Sequence, residues 1–357
     1  MATIIKNPNP CVLMLLALEF IVASASSAQT FPSFGAPAEQ SQLLLDAGVS
    51  SAQVPNGLYT SVLMSVYSYG GALNYSISTN GTTSAYNIQA SGQPLTSSVG
   101  ASTTVPYIDC LASHPSTCSA SVGVFQGNIY ITYADANTLG IDVIEAVPIA
   151  NNVAYTFRLV YQSSAVNLTT SPAMTVFTNS DGIPQLVIIF GSDITNVNNA
   201  FYELTQSGSG TWSLSDSNMG GDPNLNISSA SQPAVAELNG TLWLCSQQNN
   251  SSRYMFVYSS TDGTTWSFNG EKSLAMGSGG SMVVFNNTLV LATQQDSSAH
   301  DLFVFESTDG TNWTANQYTG IQIGSTPALS LYNGDLSLQF QSNSGDPTPL
   351  FTALASN

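Results

Sequence analysis

Positively charged residues are scarce in this sequence. Its 357 residues include four Lys and Arg against 21 Asp and Glu, which gives a formal net charge of −17. Nucleic-acid binding requires clusters of Lys and Arg that neutralise phosphates, and anionic membrane surfaces attract the same side chains. The composition therefore argues against a nucleic-acid partner and against binding to an anionic membrane.

Charged residues of either sign make up only 7% of the chain, whereas 43% of its residues are hydrophobic. Disordered segments combine low hydrophobicity with high charge, so this composition is typical of a folded chain. Helix signals are almost absent, and no Pro-rich or charged linker divides the sequence. We therefore expect one all-β domain with a large core and a surface of Ser, Thr, Asn and Gln.

Long apolar runs are also lacking, apart from residues 11–23. Lys6 precedes this run, and small residues follow it with cleavage-site patterns at residues 23–25 and 26–28, which is typical of an export signal. A membrane anchor is the alternative reading, but the run is short and Glu19 interrupts it.

The N-terminal pattern predicts a signal peptide over residues 1–28 and a single domain over residues 29–357. No later segment is long and apolar enough to span a bilayer. We therefore expect a monomeric protein that is secreted, periplasmic or attached to the cell surface, with no membrane span after signal removal.

Cysteine is rare, with four residues in the whole chain. Cys110 and Cys118 are close enough in sequence to close a loop, and an oxidising compartment favours a disulfide between them. A metal site that uses the intervening His114 is the alternative, but zinc needs about four ligands and the neighbourhood offers no complete set. Cys245 lies in a strand-like apolar run and is predicted to be an inert buried thiol.

The most informative feature is a repeated heptapeptide. Ser-Thr-Asp-Gly-Thr-Thr-Trp occupies residues 260–266 and Ser-Thr-Asp-Gly-Thr-Asn-Trp occupies residues 307–313, so the two Asp residues are 47 positions apart (309 − 262). A period of this size is typical of a chain that builds one supersecondary unit several times. Residues 233–244, 280–291 and 327–338 share the same spacing, and each segment reads as a strand, a turn with Asn and a second strand.

Each of the first two hairpins is followed by a third strand and, after the acidic turn, by a fourth strand. Four antiparallel strands per period form one propeller blade. Weaker hairpins at residues 120–133 and 173–190, counted together with degenerate forms of the acidic turn at residues 78–83 and 207–212, bring the predicted number of blades to six, with five or seven as alternatives. The last unit lacks a strand, which residues 34–45 could supply and thereby close the ring. The sequence therefore predicts a β-propeller of four-stranded antiparallel blades.

The acidic turn resembles the Asp-box, or BNR repeat, of sialidases and sialidase-like β-propellers, in a form with one residue fewer between Asp and Gly. This resemblance implies a structural turn at the blade periphery. A short acidic side chain accepts backbone N–H groups two or three residues on, Gly permits the backbone bend, and Trp buries its ring between strands or blades. The structural residues are Ser260, Asp262, Gly263 and Trp266 in one copy and Ser307, Asp309, Gly310 and Trp313 in the other.

Sialidase activity would need more than this fold. The resemblance implies that such an enzyme holds the substrate carboxylate with three arginines, and Lys replaces Arg poorly in bidentate carboxylate recognition. The chain contains only two arginines, Arg158 and Arg253. We therefore expect no sialidase activity and assign no catalytic residue.

Three Gln residues repeat with the same spacing, just past the second strands: Gln247, Gln294 and Gln341 (294 − 247 = 47 and 341 − 294 = 47). Equivalent positions in a propeller lie at one height around the axis, so these amides would cluster, and amides suit sugar hydroxyls because they donate and accept hydrogen bonds. The alternative is that they cap strand ends. The sequence predicts a binding protein for a glycan or another extracellular protein, with these residues as candidate ligand contacts.

Two other functional classes stay open. A structural surface protein would need no small ligand. A glycoside hydrolase needs two carboxylates about 5 Å or 6.5–9.5 Å apart, and no motif marks a pair among Asp109, Asp135, Asp142, Glu145, Glu203 and Glu237. We predict no cofactor, although calcium is the alternative to ordinary turns in the loops 178–182 and 216–222.

Overall fold

The protein is an all-β chain. Its computed structural model describes residues 31–34, 36–45, 48–59, 61–69, 72–78, 120–134, 140–150, 154–165, 168, 170–192, 200–215, 231–248, 251–343 and 348–355. These ranges contain 23 β-strands and no helix, so none of them holds a helix of the length and apolarity needed to cross a bilayer. The strands belong to the unit Ser33–Asn357. The predicted signal peptide (residues 1–28) and the predicted Cys110–Cys118 disulfide lie outside the described residues.

Six antiparallel sheets follow one another along the chain, and we name them blades 1 to 6. Blade 1 contains β2 (Val49–Pro55), β3 (Ser61–Tyr69) and β4 (Ala72–Ser78). Blade 2 contains β5 (Ser121–Phe125), β6 (Asn128–Ala134), β7 (Ile141–Pro148) and β8 (Tyr155–Ser163). Blade 3 contains β9 (Ala173–Thr178), β10 (Pro184–Ser192), β11 (Ala200–Ser207) and β12 (Trp212–Ser215).

The second half of the chain repeats this arrangement. Blade 4 contains β13 (Ala234–Leu238), β14 (Thr241–Gln247), β15 (Tyr254–Ser260) and β16 (Ser267–Ala275). Blade 5 contains β17 (Ser281–Phe285), β18 (Thr288–Gln294), β19 (Asp301–Ser307) and β20 (Thr314–Gln322). Blade 6 contains β21 (Ala328–Tyr332), β22 (Asp335–Gln341) and β23 (Thr348–Ala355), and its fourth strand is β1 (Ala38–Leu45).

Blade 6 closes the ring by joining the first and the last strand of the chain. β1 pairs antiparallel with β23, with Ala38 opposite Thr352 and Leu45 opposite Thr348. The innermost strands β2, β5, β9, β13, β17 and β21 contact one another in a closed cycle around a central axis. The closing strand predicted within residues 34–45 is therefore confirmed, and so is the number of six blades.

The tight turns between first and second strands explain the Asn-Gly and Asn-Asn pairs of the repeat. Asn239 and Gly240 have φ values of 53° and 75°, and Asn286 and Asn287 have φ values of 51° and 59°. Two consecutive residues with positive φ form the hairpin turn whose twist matches that of the flanking strands, and Asn and Gly tolerate this conformation best. The turn residues thus set the register of each hairpin.

The apolar core lies in the boundaries between neighbouring blades, which we call seams. Leu186 packs against Val143 in the seam between blades 2 and 3, whereas its neighbour Val187 packs with Tyr258 in the seam between blades 3 and 4. Successive side chains of a strand point to opposite faces of the sheet, so each strand serves two seams. Any side chain that reaches an opening in a seam is therefore positioned by two blades.

Candidate functional site

The two acidic turns hold themselves together through their Asp side chains. Asp262 Oδ1 accepts hydrogen bonds from Thr264 N and Thr265 N at 2.8 and 2.7 Å, and Ser260 Oγ accepts one from Gly263 N at 2.9 Å. Burial opposes ionisation of Asp262, but these hydrogen bonds to the charged form outweigh it and hold the pKa well below its ordinary value. The carboxylate is thus engaged by its own turn.

The second turn repeats these contacts around Asp309. Its Oδ1 accepts from Thr311 N and Asn312 N at 2.8 and 2.7 Å, and Gly310 N donates to Ser307 Oγ at 2.8 Å. Gly310 has a φ of 73°, and a Cβ atom at this position would overlap the Trp243 ring of blade 4. The turn therefore packs against the preceding blade, and only Gly fits the approach.

The Trp residues of the two turns have different partners. Trp313 Nε1 donates to the carbonyl oxygen of Gly310 in its own turn at 2.8 Å. Trp266 is 3% exposed, and its Nε1 donates across the seam to Glu203 Oε2 at 3.1 Å. Nearly identical sequences thus produce one self-contained turn and one turn that is tied to a buried carboxylate of blade 3.

The three repeated Gln side chains are buried. Gln247 Nε2 donates to the carbonyl oxygen of Met276, and Gln294 Nε2 donates to that of Ile323. Gln341 is buried to the same extent, with 7% exposure for each of the three residues. The amide groups of the first two therefore have backbone partners inside the fold, and ligand binding by this set stays a prediction.

The candidate carboxylates occupy separate places in the described part of the chain. Glu237 Oε1 accepts a hydrogen bond from Gly240 N in its own hairpin turn at 3.2 Å. Asp142 is buried, and its Oδ2 accepts from Tyr133 Oη at 3.3 Å. Glu145 and Glu203 lie on the third strands of blades 2 and 3 and face different seams. Asp109 and Asp135 lie outside the described residues.

Neither loop considered for calcium provides a described ligand cluster. Asn179 Oδ1 accepts hydrogen bonds from Asp181 N at 3.0 Å and from Ile183 N at 2.9 Å, as in an ordinary Asx-type turn. Within the described ranges, no group of three or more His, Cys, Asp and Glu side chains is arranged to hold a metal ion. The loop 216–222 lies outside those ranges, so the absence of a cofactor stays a prediction, with calcium as its alternative.

Cys245 is a free cysteine with no exposed surface. Burial raises the pKa of its thiol above the ordinary value, and the positive charge of Lys272 opposes only part of this effect. Because the thiolate is the reactive form, a thiol in this environment is unreactive.

An open cleft of about 460 Å³ lies between blades 2 and 3. We call it the interblade pocket and define it by five side chains. Tyr130, Glu145 and Arg158 belong to blade 2, and Gln206 and Trp212 belong to blade 3. The turn residues 208–210 and Gln126 complete its rim. The pocket thus combines aromatic, charged and amide groups from two neighbouring blades.

Aromatic rings form one wall of the interblade pocket. The Tyr130 and Trp212 rings meet edge to face, with centroids 5.9 Å apart and an interplanar angle of 82°. Tyr161 supports the indole from the other side at 5.6 Å and 37°. Such contacts hold the Trp212 ring in place, and a fixed ring is a suitable surface for stacking an apolar face of a ligand.

An acid–arginine pair supplies the polar side of the pocket. Arg158 Nε donates to Glu145 Oε2 at 2.6 Å, and the same carboxylate oxygen forms an ion pair with the guanidinium Nη2. The Glu145 side chain is 8% exposed, whereas that of Arg158 is 44% exposed. The pair is therefore anchored through a buried carboxylate and presents its cationic partner to solvent.

Gln206 contributes an unused acceptor. Its Nε2 donates to Tyr130 Oη at 3.3 Å, and its buried Oε1 has no hydrogen-bond partner among the described residues. A buried amide oxygen without a partner is costly, so Gln206 is a polar group whose hydrogen-bonding capacity the described fold leaves partly unused.

Strand register explains how these distant residues meet. Tyr130 pairs with Glu145 across β6 and β7, and Glu145 pairs with Arg158 across β7 and β8. Gln206 pairs with Trp212 across β11 and β12 on the facing blade. In the sequence, Glu145 and Arg158 stand apart as separate candidates and neither Gln206 nor Trp212 is marked as a site residue, because only the pairing of strands brings these residues together.

The propeller axis contains a second opening of about 470 Å³. The inner strands line it with small and apolar residues and with the hydroxyls of Ser51, Ser121, Ser281 and Ser330. Ser51 Oγ and Ser330 Oγ are hydrogen-bonded to each other at 2.9 Å. No Asp or Glu is among the described residues that line this opening.

No protein-family model matches the sequence, and no curated protein matches it either. Similarity to known proteins is found at the level of solved structures.

The solved structures similar to this chain include a fucose-specific lectin and a mutant of a second fungal protein. A fucose-specific lectin from Aleuria aurantia is 12% identical and superposes with a TM-score of 0.57, covering 87% of this chain and 96% of its own. Its structure is described as a six-bladed β-propeller with a fucose recognition mode. A mutant of AofleA from Arthrobotrys oligospora is 11% identical, with a TM-score of 0.56 and coverage of 93% and 90%.

A sialidase from Trypanosoma rangeli is also similar, with 14% identity, a TM-score of 0.53 and coverage of 87% of this chain. The similarity extends over 53% of the sialidase chain. At these identities the comparisons establish a shared fold. The class of the molecule is therefore a six-bladed β-propeller that resembles both fucose lectins and sialidases.

Proposed function

We propose that this protein binds glycans, that the interblade pocket is its binding site and that its ligand is a neutral sugar. The observation that carries the proposal is an acid–arginine pair beside a fixed aromatic wall, in a cleft between two blades. A sugar ring has an apolar face that stacks on aromatic rings and hydroxyls that both donate and accept hydrogen bonds. Trp212 matches the first property, and Arg158, Glu145 and Gln206 match the second.

The charge balance of the pocket favours a neutral sugar over an acidic one. Arg158 is already paired with Glu145, so the two charges offset each other. A sialic or uronic acid would place its carboxylate near the buried carboxylate of Glu145, and like charges at short range repel strongly where water is excluded. The guanidinium N–H groups that do not face Glu145 can instead donate to sugar hydroxyls.

The pocket is better suited to binding than to hydrolysis. Glycoside hydrolysis by the usual mechanisms needs two carboxylates with different protonation states on either side of the scissile bond. Glu145 is the carboxylate of the interblade pocket, and it is held by Arg158. One similar structure is a fucose-specific lectin and another is a sialidase in complex with a sugar acid, which supports a sugar ligand and leaves the choice between binding and catalysis to the pocket itself.

We also propose that the chain is exported through the signal peptide at residues 1–28 and works as a monomer outside the cytoplasm. The apolar run at residues 11–23 with its flanking small residues supports export. A glycan on an extracellular protein is the partner that fits both the pocket and this location.

Two matched variants test the site. Arg158→Lys keeps the positive charge but removes the planar fork, whereas Arg253→Lys makes the same change in an ion pair with Asp296 on another part of the ring. Screening on an array of neutral and sialylated glycans should identify neutral ligands, and titration calorimetry should then measure their affinity. Arg158→Lys should weaken binding by at least about tenfold, because an ammonium group cannot reproduce the oriented hydrogen bonds that the planar guanidinium would donate to the sugar hydroxyls. Arg253→Lys should leave the affinity unchanged.

Three results would contradict the proposal. Equal affinities of the Arg158→Lys variant and the native protein would place the ligand elsewhere. Binding confined to sialylated glycans would reject the neutral-sugar assignment. Turnover of a panel of chromogenic glycosides that survives Arg158→Lys would instead support a hydrolase with another site.

A further inference from the structure

Glu203 is a carboxyl group buried inside the seam between blades 3 and 4. It has 0% exposure, and its Oε2 accepts a hydrogen bond from Trp266 Nε1 at 3.1 Å. Its other oxygen, Oε1, has no hydrogen-bond partner among the described residues. An ionised carboxylate in such a place would have lost its hydration for a single neutral donor, which costs several kcal/mol in an apolar interior.

The surroundings of Glu203 differ from those of Glu145 in one decisive way. Glu145 pairs in register with Arg158, which neutralises its charge. Glu203 pairs in register with Ser215, which has no charge to offer. The apolar side chains of Phe201, Val187 and Tyr258 belong to the same buried cluster as Trp266. These surroundings favour the neutral acid, because a neutral carboxyl group is far less costly to bury than a charge.

We infer that the seam between blades 3 and 4 is closed by a neutral Glu203 carboxylic acid and that loss of its proton weakens this seam. The contact between blades 3 and 4 is therefore sensitive to pH and is more stable in mild acid than at neutral pH. This role is independent of the glycan-binding proposal, because Glu203 faces the opposite seam from the interblade pocket.

The ionisable side chains of blade 4 near Glu203 include Asp262 and Tyr258. Asp262 belongs to the acidic turn of blade 4, and Tyr258 lies on β15 in the same apolar cluster. Burial raises the pKa of Glu203 to about 7, the hydrogen bond from Trp266 opposes this shift, and the negative charge of Asp262 adds to it. None of these neighbours provides a positive charge that would stabilise the carboxylate.

The direction of the pH effect follows from proton linkage. The folded protein holds the Glu203 proton up to a pH of about 7, whereas the unfolded chain releases it near the ordinary value of 4.5. Folding therefore binds a proton within this window, so the stabilisation from this group is complete below it and is lost as the pH rises through about 7. Within the window, the contribution of this group to the unfolding equilibrium constant should change by about tenfold per pH unit.

The test compares Glu203→Gln with Glu271→Gln. Gln at position 203 keeps the shape and the acceptor for Trp266 Nε1 but cannot ionise, while Glu271 is an exposed residue of β16 and serves as the control. Denaturant unfolding should be measured at several pH values between 4.5 and 8. We expect Glu203→Gln to lose the decrease in stability that the native protein shows as the pH rises, and we expect Glu271→Gln to retain it.

Infrared difference spectra of the folded native protein provide a second measurement that does not depend on a variant. A protonated carboxylic acid has a C=O stretching band that a carboxylate lacks. This band should be present at pH 5.5, disappear as the pH rises through about 7, and be missing from a folded Glu203→Gln sample. The inference is overturned if the native protein has no such band at pH 5.5, or if native and Glu203→Gln proteins lose stability equally as the pH rises.

Discussion

Blade 3 lies between two seams that use similar residues for different purposes. Each seam brings a Glu from the third strand of one blade together with a Trp at the start of the fourth strand of the next. Glu145 and Trp212 line the same cleft, and Glu203 accepts a hydrogen bond from Trp266. The first seam is open to solvent as the interblade pocket, whereas Glu203 is fully buried in the second. The residue that pairs with the Glu on the fourth strand accounts for the difference in charge, since it is Arg in one case and Ser in the other.

In the roles proposed above, the same repeated blade structure forms a binding pocket in one seam and a structural contact in the other. A buried carboxylate with a paired guanidinium can stay charged and face a polar ligand. The same carboxyl group, buried away from water without a cation, favours the protonated, neutral form. Under the proposed roles, the residue on the fourth strand, Arg158 in one blade and Ser215 in the other, distinguishes the binding seam from the structural one.

The largest effects are expected when the Trp residue of each seam is replaced by Ala, because the two variants should differ in both stability and glycan affinity. Trp266→Ala leaves a cavity in the buried cluster and removes the donor to Glu203, so we expect a loss of about 3–5 kcal/mol in the free energy of unfolding. Trp212→Ala should cost less, about 1–2 kcal/mol, because its ring is only partly buried. Chemical denaturation measures both values. Glycan affinity should be lost in Trp212→Ala and kept in Trp266→Ala under conditions in which that variant is folded.

The opposite pattern would reject the distinction between the seams. If Trp266→Ala abolished glycan binding while remaining folded, or if Trp212→Ala left the affinity unchanged, then the two seams would not have the roles assigned to them. Circular dichroism on the same samples checks that each variant is folded before its affinity is measured.

The architecture was accessible from sequence because its signals are local and repeated. The Asn-Gly turns and the heptapeptide at residues 260–266 and 307–313 reveal the four-stranded unit, and the incomplete last unit indicates that an N-terminal strand closes the ring. The interblade pocket was not accessible in the same way. Arg158 and Trp212 are 54 positions apart (212 − 158), and they meet through strand register and through the packing of two blades.

The repeated Gln residues show a second limit of prediction from sequence. Equal spacing placed Gln247 and Gln294 at corresponding positions, as the sequence suggested, but spacing does not show which way an amide points. In the structure both amide nitrogens donate to backbone carbonyl oxygens near the end of the fourth strand of the same blade. A polar residue that repeats from blade to blade can therefore have a structural role, because each blade has the same backbone carbonyl groups that need a hydrogen-bond donor.

Placing a cation in the closed seam should make it resemble the open one. Ser215→Arg puts a guanidinium on the fourth strand in register with Glu203, as Arg158 is with Glu145. An opposite charge lowers the pKa of a carboxyl group, and each unit by which the pKa falls removes about 1.4 kcal/mol from the pH dependence of stability. Denaturant unfolding at pH 5 and pH 8 should show a smaller difference than in the native protein.

Ser213→Arg is the matched control for this substitution. Ser213 lies on the same strand but pairs with Thr205, so the added charge has no carboxylate in register. The pH dependence should stay close to that of the native protein. An equal reduction in both variants would mean that the total charge of the protein, rather than a contact with Glu203, determines the effect.

The smallest expected effects come from the acidic turns that border the seams. Asp262→Asn and Asp309→Asn each weaken two charge-assisted hydrogen bonds, so each should lower the free energy of unfolding by about 0.5–1 kcal/mol at neutral pH. The turn hydrogen bonds hold the pKa of both carboxyl groups below the ordinary range, so this stabilisation is present above that range and is lost as the pH falls, opposite in sign to the effect of Glu203. A second difference between the two turns concerns Glu203, since only Asp262 adds its charge to the environment of that group.

Asp262→Asn should therefore also shift the loss of the Glu203 acid band to lower pH, and Asp309→Asn should not, because its turn borders the next seam. Identical infrared titrations of the two variants would show that the acidic turn of blade 4 has no electrostatic influence on the closed seam.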